Sequence, residues 1–337
     1  MADHGFPSCI AELPKAELHL HLEGSIRPAV AAGLAVRQGL LLSEEEVRQR
    51  YAYSNFTEFI EAFKWVTSFV KEPADFALIA TDLAQQLLEQ NVTYAEVTLS
   101  VGVMLLRKQH PQANFEAILE ATERFASQGL RLNWVFDAVR QFGPEWAEKV
   151  LNWAIQCGSS RIVAFGIGGD ELQIDSREFC PVYQRAAEAG FHRLIHAGET
   201  GGPEKIREAI ELLGVERIGH GIAAIHDPAL MDLLAARRVV LEVCPVSNLR
   251  TGALATQLKR AESSLAEHPL PQLLRHGIPV VLSTDDPSMF HTSLSEQYRH
   301  VQAMGLRESE LVQLVENSFA FAFLTPEDRG TLKLHPA

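Results

Sequence analysis

Short runs of β-branched and aromatic residues recur along the chain, each followed by a stretch whose apolar positions return at helical spacing. That alternation predicts parallel strands joined by crossover helices, because a parallel pair needs a long connection. Eight runs qualify as strands: Ala16 to Leu22, Tyr94 to Leu99, Leu132 to Ala138, Ile162 to Ile167, Arg193 to His196, Arg217 to Gly219, Val239 to Val243 and Pro279 to Ser283. Eight is the number that closes a barrel, so the expected fold class is α/β, a (β/α)8 TIM barrel.

The helical stretches carry ordinary start signals. Asp227 before Pro228 reads as a cap followed by a first-turn proline, and Gly202 before Pro203 opens EKIREAIELLG in the same way. The spacing is uneven in one place: about seventy residues separate the first two strands, far more than one helix needs. A helical insertion is expected there, within residues 27–90. Its aromatic residues Phe56, Phe59, Phe63, Trp65 and Phe69 fall at helical spacings, which reads most simply as a helix packing its apolar face and alternatively as a lid over a pocket. No repeat, low-complexity tract or linker interrupts the chain, so residues 1–337 are expected to form one domain with a decorated mouth.

Composition narrows the function classes. With 47% hydrophobic and 22% charged residues among 337, the chain can bury a large core. Its formal net charge of -13 repels phosphate polymers and anionic membranes, so nucleic acid and membrane surfaces are poor partners and a small molecule fits better. Cys9, Cys157, Cys180 and Cys244 lie far apart without CxxC spacing, which argues against a disulfide framework or a thiolate zinc site and for a reducing cytoplasm. The start, MADHGFPSCIAELPK, lacks the basic and apolar regions of a signal peptide, and no apolar run reaches membrane-spanning length.

His19 and His21 sit two apart in a strand, so both side chains point to one face, here the barrel interior. His196 ends the fifth strand in HAGE, and Asp285 and Asp286 end the eighth in STDDP. Barrel enzymes place catalytic groups at these strand ends. Buried charges cost several kcal/mol unless paired or metal-bound, so four such residues converging point to a metal. Three imidazoles and a carboxylate, His19, His21, His196 and Asp285, suit one Zn2+ per chain with a water in an open position. Such a metal lowers the pKa of its water from 15.7 to roughly 7 and so supplies hydroxide at neutral pH. Glu199, three residues past His196, and His220 in RIGHG could shuttle protons beside it. His110, His226, His268 and His291 have no convergent partner and read as ordinary, and Cys244 reads as core packing.

The motifs PKAELHLHLEGSIRP, GIGGDE, HAGE, ERIGHG, CPVSNLRTG and STDDP follow one another in an order that resembles the adenosine deaminase family of the amidohydrolase superfamily. The resemblance spans nearly the whole chain. It implies a hydrolytic deaminase of a 6-aminopurine nucleoside, with zinc on His19, His21, His196 and Asp285. It further implies that Glu199 protonates the ring nitrogen beside the amino group and that His220 orients the hydroxide, giving Glu199, His220 and Asp285 as catalytic residues. Asp286 would meet the imidazole side of the purine, the backbone of Gly169 its pyrimidine side, and His21 and Glu23 would complete the substrate contacts. The H-x-E and P-C-x-x-C motifs of cytidine deaminase-like enzymes are absent. No lysine ends the fourth strand, as two-metal amidohydrolases of other specificity often require, and Glu199 and His220 are not needed to hold zinc in a silent scaffold.

Within the resemblance the substrate can be narrowed by particular residues. Adenine-selective members tend to carry bulkier or polar residues where Gly168 and Gly169 stand, so the glycines favour a nucleoside. Glu23 stands where adenosine enzymes usually have Asp beside the ribose 5′-hydroxyl. Alternatives are adenine, aminodeoxyfutalosine, with a benzoate on the sugar's 5′ side, or an N6-substituted AMP, with a phosphate there. Either anion would want a cation, and Arg250, Arg27, Lys64 and Arg107 are the candidates, though each also reads as a solvated surface charge.

Overall fold

The computed structural model describes residues 8–53 and 56–331. The N-terminal stretch read above for export falls partly on residues 1–7, outside them, and so does the side chain of Cys9. Eight parallel strands form one sheet in sequence order: β1 (Lys15–His21), β2 (Val92–Leu99), β3 (Arg131–Val139), β4 (Ile162–Gly168), β5 (His192–Ala197), β6 (Arg217–His220), β7 (Val240–Val243) and β8 (Val280–Leu282). The ring closes through a parallel bridge between Leu20 and Asp285, where His21 N–H donates to Asp285 O at 2.8 Å and Asp285 N–H to His19 O at 3.0 Å. All eight expected strands are present, with ends displaced by a residue or two. Leu22 leaves β1 because the backbone turns into the short 3-10 segment Glu23–Ser25. Pro279 lies outside β8, having no N–H to pair, although its carbonyl accepts from Leu241 N–H at 3.0 Å.

Crossover helices follow the strands and bury their apolar faces on them. Asp227 caps its helix, accepting from Leu230 N–H at 3.0 Å ahead of Pro228. Between β1 and β2 run four α-helices: Pro28–Arg37, Glu44–Arg50, Phe56–Thr67 and Pro73–Glu89. The last packs against Pro111–Ala126 as an ordinary outer helix, so the first three are surplus to the barrel pattern. Phe59 and Phe69 are buried while Phe56 is exposed, an apolar face turned inward as helical spacing requires. The Phe59 ring stacks on Phe290 at 4.9 Å, and the Tyr53 hydroxyl donates to Met289 O at 2.6 Å. These contacts fasten the surplus helices to the loop that follows Asp285 and Asp286.

The barrel floor is polar. Arg217 of β6 lies between Glu96 of β2 and Glu242 of β7, all three about 1% exposed or less, and its guanidinium also covers the ring of Phe323 at 3.7 Å. The contact of Arg217 Nε with Glu242 Oε1, 2.6 Å, is an ion contact rather than an aligned hydrogen bond. Removing the cation would strand both carboxylates away from water. Arg217→Met should therefore destabilise the fold by about 3–5 kcal/mol in urea unfolding; a loss below about 1 kcal/mol, the scale of an exposed pair, would show that the cluster is hydrated.

Candidate metal centre and active site

Strand alternation puts His19 and His21 on the inner face of β1, and His196 reaches the same point from β5. The His19 ring lies 4.7 Å from that of His196 and 5.5 Å from that of His21. Asp285 closes the set: its Oδ1 is 3.5 Å from His19 Nε2 and 3.3 Å from His21 Nε2. Gly219 of β6 makes room for this convergence, since a Cβ there would stand 2.7 Å from His19 Cε1 and 3.0 Å from His196 Cδ2. Two non-glycine residues of the site, His220 and Asp285, adopt left-handed backbone with φ of +66° and +69°. Such strain costs on the order of 1–3 kcal/mol per residue and persists where surrounding structure enforces it.

The donor chemistry fits a cation. His19 gives its Nδ1 to Glu242 Oε2 at 2.9 Å, which leaves Nε2 buried and without a partner, facing Asp285 and the other rings. A carboxylate behind a ligating histidine is the usual way to fix its tautomer. Ser247 Oγ likewise donates to Asp285 Oδ2 at 2.6 Å. Two groups of donor atoms meet within 4.8 Å: His19, His21 and Asp285, and His19, His196 and His220. They share His19, so the two groups adjoin at that ring. His220 is the one set apart, because Asn248 Nδ2 occupies its Nδ1 at 3.0 Å and its Nε2 faces Glu199 Oε2 at 3.5 Å. Burial opposes charge on His19 and His21, yet the acids Asp285, Glu242 and Asp286 outweigh it and push the rings up to about 10 and about 9. A cation would replace those protons, so its affinity must fall as pH falls.

Glu199 sits in a loop held by another acid. The buried Glu171 carboxylate accepts the N–H groups of Gly198 (2.6 Å), Glu199 (2.8 Å), Thr200 (2.5 Å) and Gly201 (2.7 Å). Gln257 Nε2 pins the same loop by donating to Glu199 O and Gly201 O, each at 2.8 Å. Burial, followed by the charges of Asp285 and Glu171, pushes the Glu199 carboxyl up to about 8. At neutral pH it therefore carries a proton. Burial pushes His220 down to about 3, so that ring is neutral.

The remaining sequence candidates divide. Asp286 is buried with Oδ1 unpartnered, packed so tightly on Gly24 that a Cβ there would lie 1.8 Å from that oxygen; burial and then Asp285 hold its carboxyl well above the usual range. Glu23 accepts Ser100 N–H at 3.1 Å and leaves Oε2 unpartnered, and burial raises it too. Gly169, at the end of β4, has φ of +93°. Among the cations, Arg27 pairs with Asp82 and Lys64 with Glu61. Arg250 is exposed. Arg107 donates to Thr67 O at 2.6 Å and Oγ1 at 2.9 Å and lines a narrow cleft with Glu23, Phe63 and Ser100. His268, read as ordinary from the sequence, is instead hydrogen-bonded through Asn248 to His220. Sequence reasoning also passed over Glu242, Ser247, Glu171 and Asp137, whose buried Oδ1 has no partner. Glu242 had a readable signal, a lone charge within the apolar run VVLEV.

A family model described as "Adenosine deaminase" matches residues 14–334. An aminodeoxyfutalosine deaminase of Streptomyces coelicolor is 36% identical over 94% of this chain and 81% of its own length. An adenine deaminase of Chelativorans sp. is 34% identical over 95% of this chain and 97% of its own. The crystal structure of an adenine deaminase from Arthrobacter aurescens superposes with a TM-score of 0.85 at 29% identity, covering 94% of this chain and 96% of that one.

Because Glu242 fixes the His19 ring, Glu242→Gln should weaken zinc binding by about 10- to 100-fold, read by chelator competition. The wild-type affinity should fall steadily as pH drops below about 10, where His19 and then, near 9, His21 take up the protons that a cation must displace. Unchanged affinity in the variant would remove Glu242 from the support of the centre.

Proposed function

The chain belongs to the adenosine deaminase family of the amidohydrolase superfamily, hydrolases acting on C–N bonds, and we propose that it removes the 6-amino group of a purine nucleoside as ammonia. One observation carries this reading: the buried Glu199 carboxyl and the His220 ring stand 3.5 Å apart beside three further histidines and Asp285. His19, His21, His196 and Asp285 would hold a single Zn2+. When bound, the ion supplies Lewis acidity that makes a water nucleophilic near neutral pH.

The chain's own residues account for the rest. Glu199 delivers its proton to the ring nitrogen beside the amino-bearing carbon, which makes that carbon electrophilic as the water oxygen attacks. His220 hydrogen-bonds the attacking oxygen and steadies the charge that develops on it. The C–N bond then breaks with its electrons on nitrogen: of the two protons the water brought, one passes through the Glu199 carboxylate to the amine, which leaves as ammonia, and the other restores the Glu199 carboxyl as the ring carbonyl forms. Asp286, whose carboxyl burial pushes up, meets the imidazole side of the purine, while Gly169 N–H meets the pyrimidine side. Glu23 and His21 face the sugar side. The surplus helices within residues 27–90 act as a lid on the one domain, a role supported by Phe63 lining the cleft beside Glu23.

Arg107 favours a second reading of the substrate. It lies half-buried beside Glu23, so a carboxylate on the sugar's 5′ side, as in aminodeoxyfutalosine, would meet it only if the crevice between them, now about 10 Å³, widens on binding. The partner is a small molecule in either reading, not nucleic acid or a membrane: the net charge of -13 opposes phosphate polymers, and no helix among the described residues is long and apolar enough to cross a bilayer. We place the reaction in the cytoplasm, which suits the free thiols of Cys157, Cys180 and Cys244.

Glu199→Gln should keep its zinc and lose at least about a hundredfold in turnover; full turnover would remove Glu199 as the acid. His19→Ala should lose metal and activity together. A panel of adenosine, deoxyadenosine, adenine, N6-methyl-AMP and aminodeoxyfutalosine, followed by ammonia release, tests the substrate. Preference for adenosine supports the first reading, and preference for aminodeoxyfutalosine that is lost in Arg107→Ala supports the second. Ammonia from none of them would sink both.

A further inference from the structure

Behind His220 lies a line of buried polar groups that the deamination scheme does not use. Leu270 N–H donates to His268 Nδ1 at 3.1 Å, His268 Nε2 lies 3.2 Å from Asn248 Oδ1, and Asn248 Nδ2 lies 3.0 Å from His220 Nδ1. His268 is 4% exposed, Asn248 0% and His220 1%, so water does not compete along this line. We infer that His268 is a positioning residue which, through Asn248, holds His220 in the tautomer with its proton on Nε2, so that His220 meets the attacking oxygen only as a hydrogen-bond donor.

The argument runs on the direction of each hydrogen bond. A backbone N–H can only donate, so His268 Nδ1 must present its lone pair to Leu270. A neutral imidazole carries one proton, which for His268 then sits on Nε2 and points at Asn248. Burial pushes His268 down to about 3, so the ring stays neutral and the alternative of two N–H donors does not arise. The proton on Nε2 needs an acceptor, which fixes the Asn248 amide with its oxygen toward His268 and its NH2 toward His220. An amide NH2 only donates, so His220 Nδ1 is the lone-pair side and its proton lies on Nε2.

That nitrogen faces the centre, 3.5 Å from Glu199 Oε2 and 3.9 Å from Asp285 Oδ2. The polarity set at an immobile backbone group is thus transmitted over three hydrogen bonds to the side of His220 that meets the reaction. With the line intact, His220 Nε2 has no lone pair with which to take a proton from water. The fixed dipole is also preorganised, so no ring flip or tautomer exchange is needed as charge builds on the attacking oxygen. His268 sits just after the 3-10 turn Leu265–Glu267, about fifty residues from His220 in sequence, and touches no part of the metal cluster.

The inference rests on the deaminase reading for its catalytic meaning, but its first test needs no substrate. In zinc-loaded protein with 15N-labelled histidine, two-bond 1H–15N correlations report which ring nitrogen carries hydrogen, with assignments carried from the backbone. Both His220 and His268 should show protonated Nε2 and bare Nδ1. Finding hydrogen on Nδ1 of His220 in the wild type would overturn the inference, whatever the substrate panel gives.

Asn248→Asp replaces the donor toward His220 by an acceptor of equal size. It should move hydrogen onto His220 Nδ1 and lower kcat by about a hundredfold, with KM and zinc content close to wild type. His268→Phe should lower kcat with the same profile, and His268→Gln, whose amide can donate to Asn248 and accept from Leu270, should return most of that loss. A merely structural role would move stability without moving the ring protons. An unchanged His220 tautomer in folded Asn248→Asp, or equal damage from Phe and Gln at position 268, would refute it.

Discussion

A ladder of alternating charge climbs the inside of the barrel from Glu96 through Arg217 and Glu242 to His19, and the candidate metal centre rests on it. Each rung is buried, so each charge is tolerable only because the next is in place. Glu242 faces both ways: one oxygen meets the guanidinium below, the other fixes the His19 ring above. The floor of the barrel therefore decides which nitrogen of His19 is offered to the centre. An apolar floor of equal volume could fold as well, but it would leave that ring free to turn.

A second set of supports comes from loops rather than strands. Glu171 gathers four successive backbone N–H groups and so shapes the loop bearing Glu199, while Gln257 holds two of its carbonyls. The short helix Pro245–Arg250 contributes Ser247 to Asp285 and Asn248 to His220. One strand-end segment thus orients both a candidate ligand and the neutral imidazole beside it. Strained backbone at His220 and Asp285 is the local cost of aiming those side chains inward, and the closing bridge from Leu20 of β1 to Asp285, three residues past β8, holds Asp285 against it.

These supports produce opposite protonation states in one small volume. Burial beside Asp285 pushes the Glu199 and Asp286 carboxyls up, whereas His19 and His21 hold Asp285 low against the same burial. Acid, neutral hydrogen-bonding ring and charged ligand are thereby separated without any residue being unusual in kind. The surplus helices after β1 are tied to the same region, because Phe59 stacks on Phe290 and Tyr53 bonds to Met289 in the loop that follows Asp285 and Asp286.

The alternation of strand and helix signals sufficed for eight strands in order, since β-branched runs and amphipathic stretches are local properties of the chain. The motif residues His19, His21, His196, Glu199, His220, Asp285 and Asp286 were legible for a related reason: polar side chains at the ends of apolar strands have few structural explanations. Glu171, Glu242, Asn248 and His268 were harder to read, because their importance lies in which atom they face across 20 to more than 200 residues of sequence. His268 looked ordinary for want of a neighbour in sequence, and only the closed barrel supplied one in space. Sequence determined the fold and the chemistry on offer; tertiary structure decided protonation and hydrogen-bond direction, because those depend on burial and on partners that no local pattern encodes.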